Sequence, residues 1–152
     1  MKLPEGKSSM ENVENEQVVR WMKALVDSIC DLSCLAAKFR ALPDVEKVYD
    51  DIYVHRIINP AGGEVPYYGF AYYVEVLLRN DNEICWHMDV SWNEAKWVIG
   101  TSVSIPGKYC SETIKEFPER LAHSVDEFIV ELKAGTKQLV DCAELIETQR
   151  SK

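Results

Sequence analysis

A chain of 152 residues with 47 % hydrophobic content is about one domain of sequence and too apolar for general disorder. Its net charge of −8, with no cluster of Lys and Arg, argues against a phosphate backbone as partner, because binding there needs grouped cations. Cys30, Cys34, Cys85, Cys110 and Cys142 are odd in number and follow no framework or Cys-x-x-Cys spacing; with no signal-peptide pattern and no bilayer-length apolar run, a reducing cytoplasm is the expected location.

Residues 1–15 are polar and read as a flexible lead-in to a single domain over 16–148. Val18, Met22, Leu25, Ile29, Leu32, Ala36 and Phe39 recur at spacings of three and four, which predicts a helix from about 15 to 41. Pro43 ends it, since the residue before a proline is disfavoured in helix. The period then changes. Ile52 to Ile58 is β-branched and aromatic, and Asn59-Pro60-Ala61-Gly62-Gly63 reads as a loop. Tyr68, Phe70, Tyr72, Val74, Val76 and Leu78 alternate along a strand that ends at Asn80-Asp81-Asn82. Ile84, Trp86, Met88 and Val90 alternate in the next, and Trp97, Ile99, Thr101, Val103 and Ile105 in the one after. Connections this short join antiparallel neighbours, because parallel ones need long crossovers.

Residues 110–123 read equally as a short helix carrying Ile114, Phe117 and Leu121 or as an extended edge segment, with Pro118 awkward for the helix. Ser124 with Glu127 fits a capping box before Val125, Phe128, Ile129, Leu132, Leu139, Ala143 and Ile146. Gly135 inside that series predicts a kink or break. The fold class is α+β: a two-layer sandwich in which an antiparallel meander of about four strands carries an N-terminal and a C-terminal helix on one face. The other face is left as a binding platform.

Cys85, His87 and Asp89 share one side of a strand and are chemically suitable zinc ligands. Their spacing of roughly 6–7 Å favours a polar outer face over a metal site. Cys85 with His87 lacks a third orienting group for nucleophilic catalysis, and Cys30 and Cys34 read as packing residues. No metal, cofactor or catalytic residue is therefore expected. Opposite the apolar side of their strand lie Tyr67, Tyr73 and Glu75. With His87, Asp89, Trp92 and Glu94 they form the candidate partner-binding set, since tyrosine and tryptophan combine a rigid apolar body with a polar tip. Trp92 falls in a turn Ser91-Trp92-Asn93-Glu94, where it is either exposed or folded back on the sheet edge.

The leading segment Val18-Val19-Arg20-Trp21, the alternating meander and the stretch from Phe117-Pro118-Glu119-Arg120 to Val125-Asp126-Glu127-Phe128 resemble small bacterial immunity proteins of polymorphic toxin systems, of the TriTu type. The resemblance implies a protein that binds and blocks a toxin domain, without catalysis or cofactor. The acidic charge suits a basic toxin or effector. Two other readings stay open: an acidic secretion chaperone or adaptor, for which a homodimer is expected, and a ligand- or metal-binding domain using Cys85, His87 and Asp89.

Overall fold

The computed structural model describes the backbone of residues 5–57, 67–107 and 110–151; the side chains of residues 5–14, 55–57, 67, 68 and 93 are not among those described. Helix α1 spans Glu5–Arg40, so it begins about ten residues before the apolar period does and replaces the expected lead-in. That early stretch has no apolar rhythm to read, yet Lys7, Glu11 and Glu14 are good helix formers and nothing after Gly6 breaks a helix. The chain turns at Leu42, whose N–H donates to the Phe39 carbonyl at 3.1 Å.

Four long strands follow: β1 Val45–Ile57, β2 Tyr67–Leu78, β3 Glu83–Asn93 and β4 Lys96–Ile105. Each is antiparallel to the next. The proposed loop at 59–63 lies outside the described residues. β5, Glu112–Glu116, and β6, Arg120–Ala122, resolve the ambiguous segment as extended. Both pair with β4, at Ser102–Ile105 and at Trp97–Ile99. Pro118, which has no N–H to give, stands in the gap between them. Among the described residues the sheet thus has six strands in place of about four, ordered β1-β2-β3-β4-β5 with β6 also on β4.

Two turns depart from the simplest signals. The β3–β4 hairpin closes through Glu94 and Ala95, with φ of 51° and 60°, the left-handed pair that a two-residue turn demands. Asn-Gly would announce that turn; Glu-Ala does not. The β2–β3 turn puts Asp81 at φ 70°, and the Asn82 N–H donates to the Asn80 side chain at 3.0 Å.

Helix α2, Val125–Val140, is capped as its sequence predicts. Ser124 Oγ accepts from the Glu127 N–H at 3.1 Å, and the Glu127 carboxylate accepts from the His123 N–H at 2.7 Å. It runs through Gly135 without the predicted break. Gly135 is buried against Ile99 and Thr101 of β4, and this packing offsets the cost of glycine in a helix. A 3-10 turn, Ala143–Ile146, leads into the short α3, Glu147–Arg150.

Alternation sends Tyr72, Val74 and Val76 of β2, Trp86 and Met88 of β3, and Ile99 and Val103 of β4 to one face. Leu32, Leu35 and Phe39 of α1 and Phe128, Leu132 and Leu139 of α2 bury them there. Each fully buried aliphatic or aromatic side chain stabilises by roughly 1.5–3 kcal/mol. Phe39 lies against Trp86 with ring centroids 4.5 Å apart, and Trp86 Nε1 donates to the Cys142 carbonyl at 3.1 Å. Ser28 and Thr136 meet beside the Met88 sulfur, which joins both helices to the sheet with their hydroxyls satisfied. No helix among the described residues is long and apolar enough to cross a membrane.

Candidate protein-binding surface

Among the described residues no helix covers the second face of the sheet. Its register sets side chains in rows across β1, β2, β3 and β4. One row is Tyr49, Glu75, Cys85 and Ser104; the next is Asp51, Tyr73, His87 and Ser102; a third is Tyr53, Ala71, Asp89 and Gly100. Tyr73, Glu75, His87 and Asp89 of the expected set are therefore neighbours, because strand alternation fixes their side. Tyr67 pairs with Ile57 in the backbone, but its side chain lies outside the described residues.

Tyr53 joins this surface and the sequence reading did not single it out. Its ring lies 6.2 Å from that of Tyr73, centroid to centroid, and its hydroxyl is 3.5 Å from His87 Nε2. The alternation Tyr49, Asp51, Tyr53 was the available signal. It was hard to weigh, because the charges of β1 obscure the strand before Ile52.

The electrostatics of the face are uneven. Burial, then the charge of nearby Glu83, pushes the Glu75 carboxyl above its usual range. Burial followed by the charges of Asp51 and Glu75 raises the Tyr73 hydroxyl. Burial and then Glu75 push the Cys85 thiol up to about 12, so at neutral pH it is a thiol and not a thiolate nucleophile. Among the described residues no three His, Cys, Asp or Glu side chains are grouped so as to hold a metal ion. Cys30 and Cys34 are exposed, which corrects their reading as packing residues.

Trp92 and Glu94 do not belong to this face. β3 continues to Asn93, so the expected turn at Ser91–Glu94 is displaced to Glu94–Ala95. Trp92 is then an in-strand residue on the helix side, paired with Trp97 and 4.8 Å from it between ring centroids. It is still 41 % exposed. Glu94 sits in the hairpin turn, at the end of the molecule where Trp92 lies.

Trp92 helps line a second feature that the sequence did not reveal. Between residues 21–29 of α1 and the ends of β1 to β4 lies an apolar groove of about 360 Å³, lined by Trp21, Leu25, Ile29, Ile52, Val54, Phe70, Trp92 and Trp97 among others. Trp21 lies tilted against Trp97 and stacked on Phe128, with ring centroids 5.6 and 5.8 Å apart, and its buried Nε1 has no hydrogen-bond partner among the described residues. The available clue was the width of the apolar stripe on α1. Val18, Met22 and Val26 are apolar too, more than a sheet can cover, and all three stay exposed. Comparison with protein-family models, with curated proteins and with solved structures found no match for this chain.

Proposed function

We propose that this chain is a non-catalytic protein-binding domain, an immunity-type inhibitor that occludes a toxin or secreted effector with the uncovered face of its sheet. The observation that carries this reading is the cluster of Tyr53, Tyr73, His87 and Asp89 in two adjacent rows of the sheet face that no described helix covers. Aromatic groups with polar tips beside carboxylates make the kind of patch from which binding energy is drawn. Asp51, Glu75 and Asp89 give the face an acidic cast that favours a basic partner. Glu75 supports this further, since its ionisation is penalised in the free protein and an incoming cation would relieve the penalty. The neutral Cys85 thiol supports a role without nucleophilic chemistry.

The apolar groove favours a second reading, a secretion chaperone that holds unfolded segments of its client by their apolar side chains. One experiment separates the two. The chain is co-expressed with any toxin-like reading frame found beside its gene, and both growth and partner activity are followed. For an inhibitor, growth is rescued, the partner's activity is blocked, and Tyr73→Ala or Asp89→Arg weakens binding at least about tenfold. For a chaperone, the partner is stabilised but remains active, and Trp92→Ala is the damaging change. A neighbouring toxin whose activity and stability are indifferent to the chain would overturn both.

A further inference from the structure

On the sheet face that no described helix covers, tyrosines and carboxylates alternate along two neighbouring strands. β1 presents Tyr49, Asp51 and Tyr53 there, and β2 presents Tyr73 and Glu75. Asp51 stands directly across from Tyr73, and Tyr49 across from Glu75. Tyr53 closes the other side of Tyr73, its ring inclined at 53° with 6.2 Å between centroids. Tyr73 thus has a carboxylate on each of two sides and a second aromatic ring leaning toward it.

Among the described residues these carboxylates have no cation. Glu75 is partly buried and makes no hydrogen bond or ion pair. Burial and repulsion from Glu83 both act against its charge, and no positive group offsets them. Asp51 Oδ1 accepts from the Ile52 N–H at 2.8 Å, which leaves Oδ2 open. The Tyr73 hydroxyl is pushed upward by burial and then by Asp51 and Glu75, again with no cation opposing. Lys47 holds its ammonium over the Tyr49 ring, 5.3 Å from the centroid, and pairs with neither acid. A carboxylate drawn partly out of water without a partner is costly, and an incoming cation removes that cost.

We propose that this patch receives one arginine side chain of the partner protein, its guanidinium laid on the Tyr73 ring and forked between Asp51 and Glu75. The inference rests on the protein-binding reading above and names the group that the face recognises. Geometry favours arginine over lysine. Diagonal neighbours on a strand pair stand roughly 7–8 Å apart. That is about the width of a planar guanidinium with one N–H···O bond of roughly 2.9 Å at each edge. An ammonium is too compact to reach across the gap, and it has no flat face to stack on a ring. Tyr53, tilted toward Tyr73, walls the patch on the side away from Glu75. The net charge of −8 steers a cationic partner toward it.

The test titrates N-acetyl-arginine amide, and the matching lysine and citrulline compounds, to tens of millimolar into the isotope-labelled full chain at matched ionic strength. Amide NMR spectra follow binding residue by residue. Arginine is expected to shift the amides of Asp51, Tyr53, Tyr73 and Glu75 and to bind about three- to fivefold more tightly than lysine. Citrulline, which has the shape without the charge, is expected to leave them in place. Tyr73→Leu is expected to abolish the preference for arginine, and Glu75→Gln to weaken its binding at least about threefold. The same spectra show whether each variant is folded, and Asp51→Asn, at an exposed position, replaces either one that is not. Shifts spread over the whole surface, an equal response to arginine and lysine, or a preference that survives Tyr73→Leu would overturn the proposal. The two readings fail separately. A toxin indifferent to the chain while arginine still binds here would remove the inhibitor and leave the site. Inhibition that depends on Tyr73 without any arginine preference would remove this inference alone.

Discussion

The Glu75 carboxyl shows what an uncovered sheet face costs a single residue. Burial among Tyr73, Cys85 and their neighbours disfavours its charged form, and Glu83 adds repulsion, so its folded pKa lies above the usual 4.5. Between 4.5 and that raised value the native state holds more protons than the unfolded chain. Stability therefore falls as pH rises through this window. Glu75→Gln is expected to raise the denaturation midpoint at pH 7 and to leave it unchanged below pH 4, where both side chains are neutral. Urea unfolding at the two pH values measures this directly, and an equal gain at both would refute the electrostatic account. Alternation along β2 and β3 made the side of Glu75, Tyr73, His87 and Asp89 legible in advance. Trp92 was misplaced because Ser91, Asn93 and Glu94 look like turn residues, whereas the backbone turns at Glu94–Ala95, a pair with no turn signature.

Helix α2 shows how packing overrides local propensity within an element. Gly135 costs about 1 kcal/mol relative to Ala in a helix, yet Ser124, Glu127 and the burial of Phe128, Leu132 and Leu139 keep the helix unbroken through it. A Cβ added at Gly135 would meet Ile99 and Thr101 at 3.5 Å and Arg120 at 3.7 Å, which is ordinary van der Waals contact. Gly135→Ala is therefore expected to stabilise the protein by about 1 kcal/mol and to raise the melting temperature by about 2–4 °C. A calorimetric scan that shows destabilisation would mean that the helix must sit closer to β4 than a methyl group allows. β1 is the opposite case. Glu46, Lys47, Asp50 and Asp51 obscure its first half in the sequence, because an edge strand can carry charge on both faces where a central strand cannot.

On the scale of the whole molecule, the C-terminal tail closes the fold. Arg150 makes two bonds to the Asp44 carboxylate, at 2.6 and 2.7 Å, and the Gln149 carbonyl accepts from the side chains of Asn80 and Asn82, each at 3.0 Å. The α1–β1 connection, the β2–β3 turn and the end of the chain are tied together by these contacts. The hydrogen bond from Arg150 leads in holding the Asp44 carboxyl below its usual 3.8, although burial opposes it. A depressed carboxyl contributes stability that is present above 3.8 and is lost as pH falls through the folded pKa. Arg150→Ala is expected to lower the melting temperature slightly, since the pair is only partly buried and water screens it, and to start acid unfolding at higher pH. An acid midpoint identical to the parent's would show that the clasp adds nothing.

The sequence by itself determined the α+β class, the antiparallel order, the capped helix α2 and the side of each residue in β2 and in β3 as far as Val90. These follow from periods of 3.6 and 2 that short stretches of chain carry within themselves. Tertiary structure decided what those periods cannot encode. It set Trp21, Trp92 and Trp97 around a groove that α1 bridges without filling, because the fit between a helix and a sheet depends on residues far apart in the chain. It divided the segment around Pro118 into two short strands on β4, since only the neighbouring strand's free edge makes extension preferable to helix there. It also placed β1 at the end of the sheet among the described residues, because which strand ends a sheet is settled by the pairing of all the others.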